Sequence, residues 1–231
     1  MTQITSSPLM GVLLCVGAYS TALYIRHKTR SMYANPFVVA TILIILFLSI
    51  TGIPYSHFKA GGDLINMFLS PVTVILAVPL YRHRNMLNRY YGAIAVGIST
   101  GVIAALVSIL AISRLCDMDI MIEKSMISKS ITAPIGIEIT QMIGGIEGIT
   151  ILSIISTGFI GAIFAPVIFK VLGIKHDVAK GVSIGVSSHA IGTSKALEMG
   201  ERIGAMSSLT IGIAGIATVV MVGIMDMFLW D

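Results

Sequence analysis

The run Ser187-Ser188-His189-Ala190-Ile191-Gly192-Thr193-Ser194-Lys195 places one imidazole, one cation and several hydroxyls inside an otherwise apolar stretch. A second run, Lys129-Ser130-Ile131-Thr132-Ala133-Pro134-Ile135-Gly136, supplies a cation, two hydroxyls and a proline that interrupts the helical ladder. A helix that starts in mid-membrane aims unpaired N–H groups and about half a positive charge at whatever lies ahead, so small anions are its natural ligands. The candidate binding residues are therefore Ser130, Thr132, Pro134, Ser187, Ser188, His189, Gly192, Thr193 and Lys195. His189 and Glu138 are the candidates for carrying a proton.

A packing reading stands beside the binding one. Serine, threonine and glycine are the ordinary material of close helix contact, and a hydroxyl can simply bond the preceding turn. That alternative applies to Ser130, Thr132 and Ser187 one by one. An ionisable group between two apolar runs is read as functional by default, which separates His189 from them. Glu138 follows Pro134 by four residues, and an unpaired charge at a helix centre costs roughly 2.5 to 3.5 kcal/mol. It must be paired, protonated or facing water. Lys195 and Glu198 read as an interfacial ion pair, and Tyr90, Tyr91 and Trp230 as interfacial aromatics.

Enzymatic motifs are missing: there is no G-x-S-x-G, H-E-x-x-H, P-loop or paired-cysteine pattern. No catalytic residue, metal or cofactor is expected. Cys15 and Cys116 lack the number for a disulfide framework and the spacing of a metal site, and read as packing residues.

The elements that must position these residues are membrane helices. Of the 231 residues 55% are hydrophobic and 11% charged, against roughly 25% charged in soluble domains, which excludes a water-soluble globular protein. Residues 1–25, 31–58, 90–113, 148–169 and 203–225 carry no Asp, Glu, Lys or Arg, and about 20 apolar residues suffice to span a bilayer. The net charge of +4 sits in short loops between these runs rather than on one face, so the partner is the lipid bilayer and not nucleic acid.

Residues 8–25 read as a retained helix ending at Arg26-His27-Lys28-Thr29-Arg30, a basic cluster that the positive-inside bias keeps cytoplasmic, with the N-terminus outside. Asn35-Pro36 starts a second helix and Thr51-Gly52-Ile53-Pro54 stops it, leaving residues 55–59 outside. Residues 63–81, with Pro71 and Pro79, read as a kinked or broken span. Arg82-His83-Arg84 and Arg89 return to the cytoplasm, and residues 90–112 cross outward. Residues 128–145 and 181–200 are each interrupted by polar residues and glycine, and are expected to be broken or re-entrant segments meeting near the midplane. Residues 203–229 then leave the C-terminus outside. Ser99-Thr100-Gly101 recurs as Ser156-Thr157-Gly158, which suggests an internal, inverted repeat of the kind transporters use. The expected fold is an all-α polytopic integral membrane protein with six to eight transmembrane helices, two of them broken or re-entrant.

From residue 33 onward the chain resembles the LrgB/CidB family of bacterial membrane proteins, related to the plastid glycolate/glycerate translocator. The likeness rests on Asn35-Pro36, Thr51-Gly52-Ile53-Pro54-Tyr55, Gly61-Gly62, Leu69-Ser70-Pro71-Val72-Thr73, Lys129-Ser130-Ile131-Thr132-Ala133-Pro134-Ile135 and Ile143-Gly144-Gly145. Its most specific part is Ser188-His189-Ala190-Ile191-Gly192-Thr193-Ser194-Lys195-Ala196-Leu197-Glu198-Met199-Gly200-Glu201. Ala133, Ala190 and Lys195 depart from the pattern, where threonine, glycine and arginine are usual. Lysine keeps the charge but loses the planar fork that grips a carboxylate with two bonds. The resemblance implies one LrgB-like transmembrane domain over residues 1–231 in a bacterial cell membrane, a homo-oligomer, and a small LrgA/CidA-type membrane partner. It implies either transport of a small carboxylate such as pyruvate or glycolate, or a holin- or antiholin-like part in controlling murein hydrolase activity and autolysis.

Overall fold

The structure is a computed structural model that describes residues 7–29, 36–68, 71, 74, 81 and 84–230. Nine α-helices and no strand occur among these residues. The chain divides into two compact units, Met1–Pro71 and Val72–Asp231.

In the first unit, α1 (Pro8–Thr29) packs against α2 (Pro36–Thr51) and α3 (Tyr55–Asn66). Arg26, His27 and Lys28 occupy the last turn of α1, where cations complement the helix dipole. Residues 55–59, expected on the outer side, form the first turns of α3, and Pro54 acts as its N-cap as well as following the end of α2. Lys59 pairs with Asp63 one turn on at 2.9 Å, so the start of the expected 63–81 span belongs to this amphipathic helix. Of the rest of that expectation, residues 69–70, 72–73 and 75–80, with Pro79, lie outside the described residues, as do Arg30, Asn35, Arg82 and His83.

The second unit holds α4 (Arg84–Leu115), α5 (Ile120–Met126), α6 (Ala133–Ile143), α7 (Glu147–Val171), α8 (Asp177–Met199) and α9 (Glu201–Leu229). Four helices, α1, α4, α7 and α9, are long and apolar enough to cross a membrane. Helix α4 is interrupted at Tyr90 (φ −118°, ψ 19°), which separates its charged first turns from the apolar remainder. Ile94, Ile98, Val102, Leu106 and Ile109 repeat at helical spacing along α4 and bury against Val178, Val182 and Val186 of α8 and Leu209 of α9. The opposite faces expose Val107, Leu152, Ile160 and Val220, as lipid-facing helices do.

The two segments expected to be irregular both depart from a simple span. Helix α6 has 11 residues, about 16 Å at 1.5 Å per residue, roughly half of a 30 Å hydrocarbon layer. Helix α8 is broken at His189 (φ 40°, ψ −137°).

A buried hydroxyl cluster fixes α6 in place. Ser125, Ser128, Thr140 and Thr150 are all fully buried. Thr150 Oγ1 donates to Ser125 O at 2.8 Å and lies 2.8 Å from Thr140 Oγ1, while Thr140 Oγ1 lies 2.8 Å from Gly136 O. The Ile146 N–H donates to Ser125 Oγ at 2.7 Å, so residues 126–145 leave and return at one end of the unit. At that end Trp230 Nε1 donates to Glu123 at 2.9 Å and Lys124 sits 5.3 Å over its ring, so Trp230 is tied to α5 and is not only an interfacial aromatic. Removing the Thr150 hydroxyl strands buried acceptors, a loss worth about 1–3 kcal/mol. Thr150→Val is expected to lower the melting temperature of the detergent-purified protein by several degrees. Thr140→Val added to it should cost less than the sum of the single changes, since the two share one network.

Candidate functional site

The break in α8 is held by the neighbouring helices. A non-glycine residue at positive φ costs of order 1–3 kcal/mol and persists only where its surroundings over-determine it. Here His189 Nε2 donates to Ile154 O at 2.9 Å, which fixes the proton on that nitrogen, because a carbonyl oxygen only accepts. Thr193 Oγ1 donates to His189 O at 2.8 Å and contacts Ser207 Oγ of α9 at 2.6 Å. Ile154, Gly158 and Gly161 form one stripe of α7 against which the break docks. A Cβ on Gly161 would fall 1.7 Å from Ser188 Oγ, and one on Gly158 2.8 Å from His189 Cε1, so only glycine admits this approach.

On another side of α8 runs a groove. A cavity of about 510 Å³ lies between α4, α8 and the turn before α6, with Thr100, Ser108, Lys129, Ser130, Ser183 and Ser187 among its polar lining and Thr157 from α7. Lys129 is the cation of that lining and stands 3.5 Å from Ser130 Oγ. A second cavity of about 710 Å³ shares Gly97, Val182 and Ser183 with the first and continues to Tyr90 and His176. Along α4 the combined groove runs from Tyr90 to Ser108, about 27 Å, close to the thickness of a hydrocarbon layer.

The expected site residues divide between these two places. Ser130 and Ser187 line the groove. Ser188, His189, Gly192 and Thr193 are buried in the break. Thr132 is the N-cap of α6, and its buried Oγ1 has no hydrogen-bond partner among the described residues, while Pro134 occupies the first turn. Lys195 pairs with Glu198 at 2.9 Å, one turn on, and Glu138 is exposed on α6. Neither belongs to the described lining of the groove. Cys116, expected as a packing residue, is exposed.

Thr100, Ser108, Thr157 and Ser183 are not among the residues expected at the site, and Lys129 is expected there only as the cation beside Ser130. Two signals point to three of them: Ser183 and Ser187 are spaced one helical turn apart, and the recurring Ser-Thr-Gly places both Thr100 and Thr157 in the groove. Gly101 and Gly158 of the same recurrence both abut α8, against Val186 and against His189 with Ile191.

Overpacking a filled contact costs typically 1–3 kcal/mol. Gly161→Ala is accordingly expected to depress the thermal midpoint, whereas Gly148→Ala, where an added Cβ meets nothing within 4 Å, should leave it unchanged. If the groove holds water, Ser187→Cys in a Cys15→Ser, Cys116→Ser background should react with a membrane-impermeant maleimide on the order of tenfold faster than Val107→Cys, since the thiolate forms only where it is solvated. Equal rates at the two positions would show a dry groove.

Known proteins resemble this chain along nearly its whole length. The LrgB-like family matches residues 15–227. The antiholin-like protein LrgB of Bacillus subtilis (strain 168) is 31% identical over 221 residues, covering 95% of this chain and 96% of that protein. Antiholin-like LrgB proteins of Bacillus mycoides (strain KBAB4) and Bacillus cereus (strain B4264) are 31% and 30% identical, each over 94% of this chain and 95% of the relative. No solved structure matches it. With its apolar helices and this coverage, the chain is a multi-pass membrane protein that belongs to the LrgB family.

Proposed function

We propose that the chain is an antiholin-like membrane component acting in the control of murein hydrolase activity, and that its α4/α8 groove forms one wall of a polar path across the bilayer. The observation that carries this reading is the groove itself: hydroxyls and one lysine gather along about 12 Å of α4, from Thr100 to Ser108, and a mainly apolar cavity continues the groove to Tyr90 and His176. Polar groups at that depth are unfavourable against lipid and are satisfied by water or by a covering protein surface. In this reading residues 126–145 re-enter the membrane from one side, and a second copy of the chain or a small LrgA/CidA-type membrane protein closes the open side of the groove. The names of the relatives support the antiholin-like assignment.

A second reading, transport of a small monocarboxylate such as pyruvate or glycolate, is favoured by Lys129 beside Ser130 at the approach to the short helix α6, and by the Thr132 hydroxyl at its start, which has no partner among the described residues. These are anion-holding groups. His189 then serves as a positioning residue that shapes α8 behind Ser187.

Deleting the gene is expected to alter the autolysis rate of the cells, and Lys129→Gln with Ser187→Val should reproduce the deletion while leaving expression and melting temperature intact. Unchanged autolysis in both strains sinks the antiholin reading. In proteoliposomes, saturable uptake of labelled pyruvate or glycolate without dye leakage, lost in Lys129→Gln, would establish the carrier reading instead.

A further inference from the structure

At the junction of α7 and α8 three lysines spaced five residues apart, Lys170, Lys175 and Lys180, line one concavity of about 310 Å³. A continuous helix would turn them to different faces. The turn between the helices gathers them: Gly173 adopts φ 65°, the Ile174 N–H donates to Phe169 O at 2.9 Å and the Gly173 N–H to Lys170 O at 3.3 Å, which ends α7 and folds the chain back. Lys170 closes α7, Lys175 sits in the turn, and Lys180 stands at the start of α8. No Asp or Glu belongs to the described lining, and none of the three lysines is in an ion pair among the described residues.

Three lysines around one concavity, with no acid in its described lining, set up a positive field that an anion neutralises. The remaining wall is apolar, with Pro166, Phe169, Ile174 and Met199. A soluble anion has no use for an apolar wall. A lipid does, because its head group meets cations at the membrane boundary while its apolar part lies against the protein. We infer that this cavity is a binding site for the phosphate group of an anionic phospholipid, with Lys170, Lys175 and Lys180 around the phosphate and the start of an acyl chain against Pro166 and Ile174. The site rests on the membrane placement of α7 and is independent of what the α4/α8 groove carries.

The full-length protein in detergent, titrated with phosphatidylglycerol, phosphatidylcholine or inorganic phosphate, tests this by native mass spectrometry and thermal melting. The protein is expected to retain phosphatidylglycerol and to melt higher with it than with either control. The K170Q/K175Q/K180Q variant should bind it on the order of a hundredfold more weakly, at about fivefold per lysine, while melting like the parent without lipid. The K170R/K175R/K180R variant should bind it as the parent does. Equal phosphatidylglycerol binding by the glutamine variant overturns the site. Equal stabilisation by phosphatidylcholine shows a general lipid effect, and equal stabilisation by inorganic phosphate shows a soluble-anion site; either overturns the phospholipid assignment.

Discussion

A helix interrupted inside a low-dielectric layer exposes backbone amides and carbonyls that lipid cannot satisfy, and each unpaired group there costs several kcal/mol. That constraint governs the second unit of this protein. The α8 break at His189 exists because α7 brings a side-chain-free stripe, Gly158 and Gly161, against it and offers Ile154 O to the imidazole. Thr193 covers the freed His189 carbonyl from within α8. The imidazole at this position is thus a structural group, one that converts a costly backbone geometry into a fixed one.

The short helix α6 obeys the same constraint by a different device. Its closing turn passes through Gly144 at φ 74°, with the Gly145 N–H donating to Thr140 O at 2.9 Å, and its body is bound to α5 and α7 through hydroxyls rather than through large apolar side chains. Small hydroxyl residues allow helices to approach closely while still satisfying polar groups, which suits a membrane interior where apolar burial offers little driving force. The contrast with Thr132 is informative. Its hydroxyl lies at the start of the same helix and is also buried, yet it has no hydrogen-bond partner among the described residues.

Charge is distributed unevenly over the second unit. Arg202 hydrogen-bonds the Tyr90 hydroxyl, His176 lines the cavity that Tyr90 lines, and Lys175 and Lys180 flank the same turn, so one end of the unit is rich in cations. The other end carries Asp119 as the N-cap of α5 and Glu123 bonded to Trp230. Such a division is the pattern that the positive-inside bias produces in membrane proteins.

Much of the architecture could be read from residue order alone. Charge-free runs of about 20 residues mark membrane helices irrespective of their neighbours, because transfer of apolar side chains into hydrocarbon depends on composition and length. Proline, glycine and polar residues within residues 128–145 and 181–200 likewise marked these stretches as irregular, since local backbone chemistry suffices for that. Pro54 was ambiguous: a proline can end one helix and begin the next, and only the chain after it decides. What residue order could not supply was the direction of each side chain once α8 broke. His189 and Thr193 turned inward to satisfy the break, whereas Ser187 turned toward Thr100, Lys129 and Ser130, residues far away along the chain. That partition depends on contacts between α4, α7 and α8, and no local pattern encodes a contact between helices that are distant in sequence.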